Sequence, residues 1–135
     1  MSKNKGFSNI SAQRYSLALY ELSSEANTLE FVEQHSSSVL KLIFSSKDFN
    51  NLIKDPTGSQ EDLISVVKKI SEDFKIERLL KNFMIFLVKK RRFFYLEKIL
   101  KRFIEICSEK RGEIKAEIQS AKELSNEEIK KITED

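Results

Sequence analysis

Tryptophan is absent from the 135-residue sequence, while cysteine, histidine and proline each occur once and glycine three times. Each scarcity removes a class of function. One Cys and one His cannot supply the three or four ligands of a zinc site. Three scattered glycines, Gly6, Gly58 and Gly112, offer no glycine-rich cradle for a phosphate. His35 has no nucleophile or second ligand at useful spacing, and the many carboxylates fall on the solvent faces of helices. No catalytic residue, cofactor or metal is expected. A lone thiol, Cys107, suits a reducing compartment or a purely packing role. The sequence also lacks a secretory segment and any apolar run near the roughly 20 residues that span a bilayer. Its first nine residues, MSKNKGFSN, are polar and short, so residues 1–10 are expected to be a disordered terminus.

What is present is a strongly apolar hairpin. Six apolar residues run unbroken from Phe83 to Val88, more than a one-sided surface helix needs, and a helix apolar all round is normally surrounded. After Lys89-Lys90-Arg91-Arg92 a second helix begins. Its Leu96, Ile99, Leu100, Phe103, Ile104 and Cys107 share one face of a 3.6-residue period. Ten phenylalanines and 40% hydrophobic residues can build a core without disulfide or metal.

Charge is uneven. Eight cations lie between Lys81 and Arg102 against Glu97 alone, a balance of +7, which leaves the remainder at −4 for a net +3. Such a field either guides an acidic partner or nucleic acid, or complements a helix C-terminus with cations whose stems cover the core.

Upstream, residues 11–26 form a helix apolar on two sides. Tyr15, Ala18, Leu19 and Leu22 gather on one, with Leu17 and Tyr20 roughly opposite. One side docks on the core; the other is a partner surface or is covered by a neighbouring helix. A second helix spans about 28–45 with Leu29, Val32, Val39 and Ile43 inward, and Phe49, Leu52 and Ile53 suit a short helix or turn. Asp55-Pro56-Thr57-Gly58 reads as a loop. Ser59 then opens a capping box for a helix carrying Leu63, Val67, Ile70 and Phe74 inward.

The long second helix of the hairpin is expected to end at Gly112. Residues 113–121 alternate, with Ile114, Ala116 and Ile118 on one side, which is a strand period. Ser125-Asn126-Glu127-Glu128 is a second capping box before Ile129 and Ile132. A lone strand has no ladder partner, so residues 112–135 read as the incomplete start of a C-terminal domain and the chain as a fragment. The expected fold is all-α: a six-helix bundle over 11–111, followed by one strand and the start of a helix from an incomplete α/β domain.

Four stretches resemble the delta subunit of the F-type ATP synthase, whose mitochondrial counterpart is OSCP. They are Arg14 to Tyr20; Leu52-Ile53-Lys54-Asp55-Pro56; Asn82 to Arg92 with Leu96; and Arg111-Gly112 with Ala116 to Ala121 and Leu124-Ser125. The resemblance covers about residues 11–135, and family members usually continue for several tens of residues beyond. It implies a non-catalytic stator subunit of the peripheral stalk, which joins the catalytic head to the stalk so that rotor torque does not spin the head. It further implies that the first and fifth helices hold the N-terminal helix of an alpha subunit, a helix-in-groove contact. Tyr15, Ala18 and Phe86 match family contact positions; Leu22 and Lys90 extend the set by one helical turn each. The b subunit of the stalk binds mainly through the C-terminal domain in the family, so this chain is not expected to hold it. Without a transit peptide, and rich in Lys, Asn, Ile and Phe, the chain is expected at the cytoplasmic face of a bacterial inner membrane, peripheral and not inserted. The family commonly has Ala where Ser16 stands, and small residues such as Asn-Gly where Lys90-Arg91 stand.

The rival reading is a helical nucleic-acid-binding module using Lys89–Arg92, with Phe93, Phe94 and Tyr95 stacking on bases. Against it, Phe93 and Phe94 are expected to seat the turn in the core. Salt separates the two: phosphate binding collapses as salt rises, whereas apolar docking persists.

Overall fold

In the computed structural model, backbone is described for residues 2–55 and 57–134, and side chains for 10–55 and 57–122. The fold is all-α. Six helices follow in order: α1 (Ser2–Glu25), α2 (Leu29–Ser45), α3 (Lys47–Lys54), α4 (Gln60–Asp73), α5 (Arg78–Lys89) and α6 (Leu96–Glu134), with a one-turn 3-10 helix at Phe93–Tyr95 before α6. No strand occurs among the described residues. None of the helices there is long and apolar enough to cross a membrane.

Helices α5 and α6 supply about half of the buried core cluster, as their sequence implies, but they pack less on each other than on their neighbours, α5 on α4 and α6 on α1 and α2. Leu80, Phe83, Met84, Leu87 and Val88 of α5 and Leu96, Ile99, Leu100, Phe103 and Cys107 of α6 are buried in one cluster with Leu19, Val32, Val39, Ile43, Ile53 and Val67. Ile104 is only half-buried. Burial pushes the Cys107 thiol up to about 12, so it stays protonated and inert at neutral pH. The single histidine has a structural task. Its Nδ1 accepts the Glu77 backbone N–H at 2.7 Å, satisfying one of the donors that the start of α5 leaves without an intrahelical partner.

Caps set the shorter helices. The Ser46 hydroxyl accepts from the Phe49 N–H at 3.2 Å and the Ser59 hydroxyl from the Asp62 N–H at 3.1 Å, each taking up a free donor of the first turn. Three C-termini close by one device. Asn27, Lys75 and Arg91 have φ of 58°, 51° and 57°. At each, the following residue's N–H reaches five residues back: Thr28 to Ser23 O, Ile76 to Ser71 O, and Arg92 to Leu87 O, at 3.0, 2.9 and 2.8 Å. This is the Schellman closure, which usually places glycine at the left-handed position. Here the chain does without it. Arg91→Gly is therefore expected to stabilise the fold by about 0.5–1 kcal/mol through relief of the side-chain clash. Urea unfolding would show a higher midpoint at unchanged slope; a lower midpoint would mean that the Arg91 side chain contributes more than its backbone geometry costs.

Several expectations are corrected. Residues 113–121 are not a strand, and the helix does not stop at Gly112: α6 continues to Glu134. Gly112 has no positive φ, and a mid-helix glycine costs only about 1 kcal/mol. Ile114 and Ile118 alternate with polar residues, yet they are also four apart, so the same letters satisfy a helix. Nor does Ser125 open a new helix, since the α6 backbone passes through it; the side chains of Ser125, Ile129 and Ile132 lie outside the described residues. At the other end, α1 begins at Ser2 rather than Ser11, because extending a formed helix is far easier than nucleating one. Phe74 is 53% exposed instead of inward: α4 ends at Asp73, and the left-handed Lys75 turns the chain away just beyond it. Phe93 is buried in the turn as expected, but Phe94 is half-exposed and stacks on Tyr95 with ring centroids 3.9 Å apart.

Candidate functional site

The inner face of α1 is made of three small residues and one leucine. Ala12, Ser16, Leu19 and Ser23 are buried, spaced by four, three and four residues along one helical stripe. Short side chains let the α1 backbone approach α6 closely. Ser16 Oγ lies 2.8 Å from the Ile99 carbonyl oxygen and 2.6 Å from that of Ala12. The small Ser16 side chain thus ties α1 to α6. Ser23 Oγ donates to Leu19 O at 2.6 Å.

This buried stripe separates Leu19 from the residues grouped with it on the sequence. Tyr15, Ala18 and Leu22 sit on the neighbouring stripe and look across a groove at Leu79, Asn82, Phe83 and Phe86 of α5; Ser11, Arg14 and Arg92 complete the lining, around about 670 Å³. The floor is closed, since Phe83 is buried, while the rim is open, with Leu22 49% and Phe86 43% exposed. Tyr15 and Phe86 bridge the two helices edge to face, with centroids 6.3 Å apart and planes at 63°. Such pairs contribute about 0.5–1.5 kcal/mol beyond area burial. Tyr15, Ala18, Leu22 and Phe86 therefore meet in one groove. Lys90 does not line it; its Nζ stands 5.8 Å above the Phe86 ring, at the rim.

The groove has a direction. Ser16 packs on Ile99 in the first turn of α6, Tyr15 meets Phe86 in the last turn of α5, and the Arg92 N–H folds back onto the Leu87 carbonyl. Ser11, Arg14 and Arg92 consequently cluster at the Phe86 end, and Leu22 and Leu79 at the other. Sequence reasoning missed Leu79 and Asn82, although they precede Phe86 by seven and four residues and could have been found by helical spacing. Arg92 carries no such signal, because the Schellman turn brings it back to the groove.

The basic run Lys89–Arg92 does not present one face. Arg92 lines the α1/α5 groove, Lys90 caps the Phe86 ring, and Arg91 lines a separate pocket with Phe93, Phe94, Lys54 and Ser59. Cations that diverge in this way make a poor track for a phosphate backbone, which asks for a continuous groove with bases stacking alongside. No group of three or more His, Cys, Asp or Glu able to hold a metal occurs among the described residues. The arrangement offers an apolar slot with a cationic end.

Comparison with known proteins gives a consistent answer. Residues 11–135 match the model of the family described as ATP synthase delta (OSCP) subunit. The ATP synthase subunit delta of Pelagibacter ubique is 59% identical over 135 residues, which cover all of this chain and 73% of that protein. The ATP synthase subunits delta of Brucella suis biovar 1 and Brucella abortus (strain S19) are 37% and 36% identical over 115 residues, covering 85% of this chain and 62% of each relative.

Proposed function

The chain belongs to the ATP synthase delta (OSCP) subunit family, and from that premise we propose that it is a non-catalytic stator subunit of an F-type ATP synthase. It holds the N-terminal helix of an alpha subunit in the α1/α5 groove and links the catalytic head to the peripheral stalk, at the cytoplasmic face of a bacterial inner membrane. The observation that carries this reading is the open groove in which Tyr15, Ala18, Leu22 and Phe86 meet over a buried Phe83. Its length, about two to three helical turns from Tyr15 to Leu22 and from Leu79 to Phe86, matches a docked helix better than a small ligand.

The mechanics agree with the task. A stator contact must resist load without dissociating, which favours a large apolar contact with slow release over a few surface ion pairs. A close-packed bundle supplies a rigid mount. Ala18 is the small residue at the groove wall, where a partner backbone can come near. Residues 112–135 lie beyond the last buried residue, Cys107, and their described side chains are all exposed.

Calorimetric titration with a peptide of about the first 20 residues of an alpha subunit tests the proposal. The expected result is saturable one-to-one binding with a negative heat-capacity change that persists at high salt. A folded chain that gives no heat with this peptide at either salt would contradict it.

A further inference from the structure

The groove lining contains two arginines, Arg14 and Arg92, and no carboxylate. Five ion pairs lie elsewhere on the fold: Glu97, Glu105, Glu109, Glu113 and Glu33 serve Lys101, Arg102, Lys110 and Arg111. Two guanidiniums thus stand at the Phe86 end of an apolar slot with no acidic partner among the described residues, and the Lys90 ammonium, over the Phe86 ring, adds a third positive charge at that end. The Leu22 and Leu79 end has no cation in its lining. A guanidinium beside an apolar surface is suited to a bidentate carboxylate pair.

We propose that the Phe86 end of the groove reads carboxylates: the docked helix carries Asp or Glu at one end of its apolar strip, and Arg14 and Arg92 pair with them. This rests on the helix-docking reading above and adds to it a direction and a chemistry. An apolar strip alone discriminates weakly between the two ways an amphipathic helix can lie in it. A cationic end makes the choice. Carboxylates at that end are attracted before contact, and the reversed helix would leave the arginines without partners over a partly desolvated surface. Rim charges of this kind act on the rate of association and on the choice of register, while the apolar contact governs dissociation.

The test measures association and dissociation rates of the same alpha-subunit peptide with the full chain. Native peptide and native chain should show an on-rate that falls about fivefold to tenfold from low to high salt, with an off-rate changed less than about threefold. The double variant Arg14→Gln/Arg92→Gln should start at the reduced on-rate and show little further loss with salt. A peptide whose Asp and Glu are replaced by Asn and Gln should behave the same way on the native chain, and combining it with the double variant should give no additional loss. The neutralised peptide keeps the proposal testable if the double variant folds poorly. Equal on-rates and equal salt dependence for native and neutralised partners would overturn the carboxylate reading while leaving helix docking intact. Absence of binding by every peptide would remove both.

Discussion

Ala18→Asp is expected to weaken binding of the alpha-subunit peptide by at least about 100-fold while leaving the bundle folded. Ala18 is exposed on α1 and lines the groove between Tyr15 and Leu22. A docked helix would cover it, and burying a carboxylate there without a matched partner costs several kcal/mol. In the free chain the same carboxylate faces water, so little stability is lost. The check is the calorimetric titration together with thermal unfolding. Loss of binding with a melting temperature within about 2 °C of the native chain fits the account. Loss of helicity and stability would instead place Ala18 in the core.

Phe103→Ala should do the reverse, striking the fold and binding only through it. Phe103 is fully buried on α6 and is the largest of the fully buried side chains. Removing its ring from a close-packed interior costs about 3–5 kcal/mol, a large share of the roughly 5–15 kcal/mol that holds a domain of this kind together. Urea unfolding would show the midpoint falling by about a fifth or more. A loss below about 1 kcal/mol would mean that the inner face of α6 is not central to the core. The two variants separate the groove from its mount: one is read in binding at constant stability, the other in stability.

The hairpin was legible because its signals were redundant. An unbroken apolar run, a basic break and a clean 3.6-residue stripe all indicate the same two helices, and Ser59 announces the start of α4 by its cap. The C-terminal stretch was not, because Ile114, Ala116 and Ile118 fit a period of two while Ile114 and Ile118 equally fit a spacing of four. Glycine also misled there. Gly112 lies inside α6, whereas the left-handed helix ends belong to Asn27, Lys75 and Arg91. Phe74 fell on the apolar spacing of α4, but the helix stops one residue too soon to bury it.

The groove was partly legible for a related reason. Tyr15, Ala18 and Leu22 lie on one helical stripe, and Phe86 sits on the side of α5 that the core leaves open. What the stripe could not reveal is that Leu19 is wholly buried beside them, because Ser16 and Ser23, which read as polar, are the small residues packed inward. The cationic end depends on tertiary placement. Arg92 joins Arg14 only because the turn after α5 reverses the chain. Lys90, reached by spacing along α5, ends at the rim over the Phe86 ring rather than in the wall.

The central claim is that the α1/α5 groove holds the alpha subunit's N-terminal helix, and amide-shift mapping by NMR addresses it most directly. The uniformly 15N-labelled chain would be titrated with the alpha-subunit peptide and every resolved backbone amide followed to saturation. The account predicts that the large shifts fall on residues 11–22 of α1 and 79–92 of α5, with α2, α3 and the α6 stretch around Ile114 and Ile118 nearly still. Shifts centred on Phe44, Phe94 or the Ile114 stretch, with the groove unmoved, would contradict it.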